Sequence, residues 1–163
     1  MTTSPLPTVQ PKSFAASPYA EEWAKHFEGL ALKAYWDVND WAIGYGHNNG
    51  SGLPPAVHKG DTITEEEAVA ILKADMKVQA HYLNAYVKVP LTQYQIDALC
   101  LHIFQEGPGG FRRDPVCHDV NAGDFAAAVG MLKDWPTTSA GLKRRHKAEG
   151  EILNGENPTP GSW

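Results

Sequence analysis

Apolar positions along the chain fall into helical and strand-like periods at different places, and the two patterns separate into different regions. Tyr19, Trp23 and Phe27 stand four residues apart between Pro18 and Glu28, as on one helical face, and Gly29 follows as a natural stop. A longer stripe of Val69, Leu72, Met76, Ala80 and Leu83 begins behind Thr64-Glu65-Glu66-Glu67, a capping box that predicts a long helix. A second box, Thr92-Gln93-Tyr94-Gln95, opens a helix with Ile96, Leu99, Cys100, Ile103 and Phe104 on one face, broken by Gly107-Pro108-Gly109-Gly110. Short helices are predicted at about 115–121 and 124–134, and a last amphipathic one over 142–153.

Strand character is confined to Ala34-Tyr35-Trp36 and to Trp41-Ala42-Ile43-Gly44-Tyr45-Gly46, separated by the turn residues Asp37-Val38-Asn39-Asp40. This predicts a small antiparallel hairpin. The Gly- and Pro-rich stretch from Asn48 to Gly60 reads as loop. The fold class is therefore α+β, mainly α. A small β lobe at about 30–62 is joined by one long helix to a helical lobe at about 63–154, within a single domain of residues 19–163. Residues 1–18 show little periodicity and read as a flexible or surface-draped N-terminal extension.

Composition narrows the function classes. With 163 residues and 42% hydrophobic content the chain can form one domain with a proper core. It contains no apolar run near the roughly 20 residues that span a bilayer, so stable membrane insertion is not expected. Its first residues lack the basic flank and apolar stretch of a secretory signal, so synthesis in a cytoplasm without a signal peptide is expected. A formal net charge of −5 argues against bulk nucleic-acid binding. Cys100 and Cys117 read as buried reduced thiols, and seven scattered histidines without metal-ligand spacing predict no metal site and no cofactor.

The chemistry concentrates in EGLALKAYWDVNDWAIGYGH, residues 28–47, where Glu28 and Asp37 lie nine positions apart. Cleaving a sugar bond acid-catalytically needs such a pair: one carboxyl protonates the leaving oxygen while the other activates water or attacks the anomeric carbon. Glu28 stands at the C-terminal end of its predicted helix, where the macrodipole opposes an anion, as suits a general acid. By spacing alone, a helix-end glutamate and a turn-capping aspartate remain the plain alternative.

Five strings in order, FEGLALKAYWD…WAIGYGH, GDTITEEEAVAILKADM, VPLTQYQIDALCLHIFQEGPGGF, NAGDFAAAVGMLKDW and GLKRRHKAEGEIL, resemble phage-type lysozymes of glycoside hydrolase family 24 over about residues 20–154. The resemblance implies a lysozyme-like two-lobe fold and hydrolysis of the β-1,4 bond between N-acetylmuramic acid and N-acetylglucosamine, in bacterial cell lysis. Glu28 matches the family's general acid and Asp37 the aspartate that holds and activates the attacking water. The family's inverting stereochemistry would set the carboxyl groups roughly 6.5 to 9.5 Å apart. Peptidoglycan glycan strands are the implied partner, met by a monomer acting in the periplasm after release.

One departure stands out. Ala42 occupies the position of a threonine whose hydroxyl helps position the water in the family, and the turn before it is one residue shorter. Asn39 and Asp40 are candidates to hold the water instead. An alternative product is that of a lytic transglycosylase using Glu28 alone, and another reading is an impaired glycan- or protein-binding module. Arg145 matches a family arginine and is expected to face and orient Glu28. Gln105 resembles a cleft residue and is expected to contact substrate, whereas Glu106 reads as an exposed helix-end glutamate. Trp36, fencing the site, and Tyr45, through its ring, are further substrate contacts, with core packing the alternative for Trp41 and Tyr45. His47 is expected to pair with Asp75 across the lobes.

Overall fold

The computed structural model describes residues 5–161. Helix α1 spans Pro18–Glu28, with proline in its first turn, where the missing N–H costs nothing, and with Gly29 at φ 69° ending it. Strands β2 (Ala31–Asp37), β3 (Asp40–Gly44) and β4 (His47–Asn48) form an antiparallel meander. Its register shifts between Ala31 and Tyr35, after which the pairing runs Tyr35 with Ala42, Trp36 with Trp41 and Asp37 with Asp40. Ala34, Ile43 and Val57, with Trp41 and Ile63 against them, give this lobe its own small core.

The 22 residues of α2 (Glu65–Tyr86) leave the β lobe from a complete capping box and bury Ala68, Leu72, Met76, Ala80 and Leu83. Helix α3 (Gln93–Arg113) likewise starts from a complete box at Thr92. The expected break at residues 107–110 is narrower than its glycines suggest. Only Gly107 leaves helical geometry (φ 75°, ψ 160°), and the helix resumes through Arg113 because Pro108 takes a first-turn position that suits it. Helices α4 (Pro115–Asn121), α5 (Phe125–Lys133) and α6 (Ala140–Leu153) are capped by the side chains of Asp114, Asp124 and Ser139. They close over a core that includes Trp23, Leu99, Leu101, Phe111, Leu132 and Ile152.

Residues 1–4 of the N-terminal extension lie outside the described residues, and the rest is not loose. Strand β1 (Thr8–Val9) pairs antiparallel with β5 (Leu91–Thr92). Asn84 bonds both backbone polar groups of Phe14, whose ring is buried. Of the two expected alternatives, the flexible segment gives way to a surface-draped one, held by one apolar anchor and a two-residue ladder, signals too short to register as periodicity.

Candidate active site

Glu28 is the last residue of α1, and its carboxylate is fixed on both sides. Arg145 Nη1 donates to Oε1 at 2.6 Å. Oε2 lies so close to Gly46 that a Cβ there would sit 2.6 Å from it, and Gly46 also has φ +77°. Only glycine leaves room for the acid. The Glu28 side chain remains 21% exposed, so it is held without being sealed.

Arg145 is itself held by further bonds. Nε donates to Glu149 Oε1 at 3.0 Å, Nη2 to the Leu101 carbonyl at 3.1 Å, and its guanidinium lies 4.6 Å from the Phe27 ring centre. Glu149 is fully buried, and its Oε2 meets His146 Nδ1 at 2.8 Å and His102 Nδ1 at 3.1 Å. Burial alone would raise its pKa, yet hydrogen bonds from His102 and His146 and the charges of His102 and Arg145 hold it well below the usual carboxylate range. His102 contacts carboxylates through both nitrogens, the second being Asp114 Oδ2 at 2.8 Å. A ring between two carboxylates is doubly protonated. Burial opposes that charge, but Asp114 and Glu149 outweigh it and raise the His102 pKa to about 9. His102, His146 and Glu149 thus form a charged hydrogen-bonded cluster that ends, through Arg145, at Glu28. None of its inner members was singled out from sequence, although Glu149 lies three and four positions after His146 and Arg145, on their helical face.

Across the site stands the hairpin. Strand alternation and the register place Tyr35, Asp37, Asp40, Ala42 and Asn48 on one sheet face, with Trp36, Trp41, Ile43 and His47 on the other. Asp37 is exposed at the tip, beside Val38 at φ 53°. Tyr35 was not foreseen as a site residue, although it stands two positions before Asp37 and so shares its face. Burial and then the negative charges of Asp37 and Glu28 raise its phenol pKa. Both carboxylates therefore bear on one side chain. Asp40 Oδ1 is engaged by Trp41 N at 2.7 Å and Asn49 Nδ2 at 3.1 Å, and Asn39 is exposed in the turn.

One expected sugar contact is corrected, and another is placed on the face opposite Asp37. Tyr45 is only 7% exposed, because the turn between Gly44 and Gly46 directs its ring into the main core. Trp36 is exposed but packs edge-on against Trp41, 5.5 Å between ring centres, on the face opposite Asp37. Gln105 and Glu106 line a cleft of about 360 Å³ together with Gly46, Asn48, Ser51 and Pro108. Glu106, expected to be an exposed helix-end residue, is half-buried, and its Oε1 lies 3.3 Å from His146 Nε2. His47 does meet Asp75, Nδ1 to Oδ2 at 2.8 Å, while its Nε2 meets the Pro55 carbonyl at 2.8 Å. Burial lowers its pKa, but the Asp75 and Pro55 bonds and the Asp75 charge reverse the net direction to upward.

A helix-end carboxylate clamped by arginine beside a cleft lined by both the β lobe and the helical lobe is an arrangement suited to a glycoside hydrolase of lysozyme type. A sequence profile of the phage lysozyme family matches residues 25–149, and the chain belongs to that family. The endolysin of Acyrthosiphon pisum secondary endosymbiont phage 1 is 36% identical over 134 residues, covering 77% of this chain and 88% of the relative. The endolysin of Salmonella phage P22 is 37% identical over 112 residues, 68% of this chain and 76% of the relative. Among solved structures, the endolysin from Escherichia coli O157:H7 phage FAHEc1 superposes with TM-score 0.80 at 29% identity, covering 91% of this chain and 99% of that one. The muramidase domain of SpmX from Asticaccaulis excentricus gives 0.77 at 30% identity, over 86% and 97%. The chain is accordingly a peptidoglycan hydrolase. Among the described residues no helix is long and apolar enough to cross a membrane.

Proposed function

We propose that the chain hydrolyses the β-1,4 bond between N-acetylmuramic acid and N-acetylglucosamine with inversion, Glu28 acting as general acid and Asp37 activating water on the opposite sugar face. The observation that carries this reading is the fixed Glu28 carboxylate. Arg145 occupies Oε1, so Oε2, beside Gly46 on the cleft wall, is the atom that delivers the proton. Arg145 acts as the orienting group. Gln105, on the helical side of the same cleft, contacts the glycan. The protein works as a monomer on cell-wall glycan strands in the periplasm after release, without binding nucleic acid.

Ala42 favours one second reading: without a hydroxyl at that position, the muramoyl 6-hydroxyl attacks in place of water and leaves an anhydro-sugar. Clearing of outer-membrane-stripped Gram-negative cells tests the main proposal. The wild type is expected to clear them and Glu28→Gln to fail. No clearing by wild type, or equal clearing by both, contradicts it.

A further inference from the structure

An attacking water needs two acceptors to be ordered, one to take its proton and another to hold the second hydrogen. In the reading above, on which this inference rests, Asp37 is the first. The second has to come from the same sheet face, and Ala42 has no polar side-chain atom and is 1% exposed.

Tyr35 is the direct cross-strand partner of Ala42. Cross-strand partners carry their Cβ atoms about 5 Å apart on one face, so Tyr35 and position 42 share one patch of that face and the phenol is long enough to bring a hydroxyl to it. It also shares that face with Asp37, two residues on. Tyr35 is 40% exposed, open to solvent and not sealed in the core. The alternatives on the hairpin are worse placed. Asp40 turns one oxygen to Trp41 and Asn49, and Asn39 lies in the turn, outside the paired positions.

We propose that the Tyr35 hydroxyl is the water-positioning group of this active site, standing in for the hydroxyl that position 42 lacks. Its oxygen accepts one hydrogen of the water while its own proton is donated to Asp37. The water oxygen bonds to the anomeric carbon and its other proton passes to Asp37. The glycosidic bond breaks, and its oxygen takes the proton of Glu28. Afterwards Asp37 is protonated and Glu28 ionised, and exchange with solvent resets both. The electrostatic influence of both carboxylates on the phenol agrees with a hydroxyl near both of them.

The test compares Tyr35→Phe, Tyr35→Phe/Ala42→Ser and Asp37→Asn with wild type on purified peptidoglycan, following kcat, KM and Tm. Tyr35→Phe removes only the oxygen. A kcat loss of about 10- to 100-fold is expected, the range for one hydrogen bond to a charged or developing group, with KM and Tm unchanged. Serine at position 42 returns a hydroxyl to the face and is expected to restore part of the rate. Full kcat in Tyr35→Phe, a loss confined to KM or explained by Tm, or a double variant as slow as the single one overturns the proposal. If Asp37→Asn is as active as wild type, the water-activation reading itself fails. An inactive Asp37→Asn beside a fully active Tyr35→Phe removes only the role of Tyr35.

Discussion

Arg145 joins the last helix to the first: its Nη1 donates to Glu28 Oε1 at 2.6 Å across 117 positions of chain, while Nε and Nη2 are anchored to Glu149 and the Leu101 carbonyl. The acid is thus held by a group that cannot swing away without breaking two buried bonds. Arg145→Lys keeps the charge but loses the fork. A kcat loss of about 100-fold is expected, the scale of a small misplacement of a catalytic group. Steady-state kinetics on purified peptidoglycan, below the variant's melting range, checks it.

Gly46 and Gly29 both have positive φ, but only Gly46 faces the acid. Gly29→Ala meets nothing within 4 Å, but φ 69° with ψ 170° is a conformation essentially reserved for glycine, so a stability loss of about 1 to 3 kcal/mol is expected with activity kept. Gly46→Ala is likewise strained by its positive φ and also drives a methyl into the Glu28 carboxylate. Lysis by the folded Gly46→Ala protein should therefore be lost, and parallel urea denaturation and turbidity assays separate the two effects.

His102 makes stability depend on pH. Its pKa rises from 6.5 to about 9 on folding, so its contribution is fully present below about pH 6.5 and is lost as pH climbs through 9. The upper bound on that loss is roughly 3 kcal/mol. His47, also shifted upward, acts in the same direction. Glu149 has the opposite sign: its contribution is present above its ordinary value and lost only in strong acid. Urea denaturation from pH 6 to 10 should show falling stability, and Asp114→Asn, which removes one carboxylate from His102, should move that fall to lower pH.

Asp75 ties α2 to the β lobe through His47, and both side chains are almost completely buried. Asp75→Asn removes the carboxylate that accepts from His47 Nδ1, at a cost of about 1 to 3 kcal/mol. A lowered Tm with cell-wall hydrolysis retained by the folded fraction is the expected outcome in thermal denaturation and turbidity measurements.

Much of this was legible in the residues. The capping boxes at Thr64 and Thr92 marked both long helices because their side chains satisfy the first free amides, a local property. The hairpin was visible from its turn residues, and Glu28 from its place at a helix end. What escaped needed three-dimensional neighbours. The register alone tells which residue faces Ala42, and alternation then sends Trp36 to the face opposite Asp37. Tyr45 was misread because an aromatic in a glycine-flanked turn can face either way, and packing against the main core decides. The His102–Glu149–Arg145 cluster joins α3 to α6, 47 and 44 positions apart at its contacts, a separation no local pattern records.

The acid-and-water mechanism is tested most directly by digesting peptidoglycan in oxygen-18-labelled water and weighing the muropeptides. One heavy oxygen at each new reducing end, absent with Glu28→Gln, is expected if Asp37 delivers water to the bond that Glu28 protonates. Products lighter by one water and free of label, ending in an anhydro-sugar, would contradict hydrolysis and assign the cleavage to intramolecular attack.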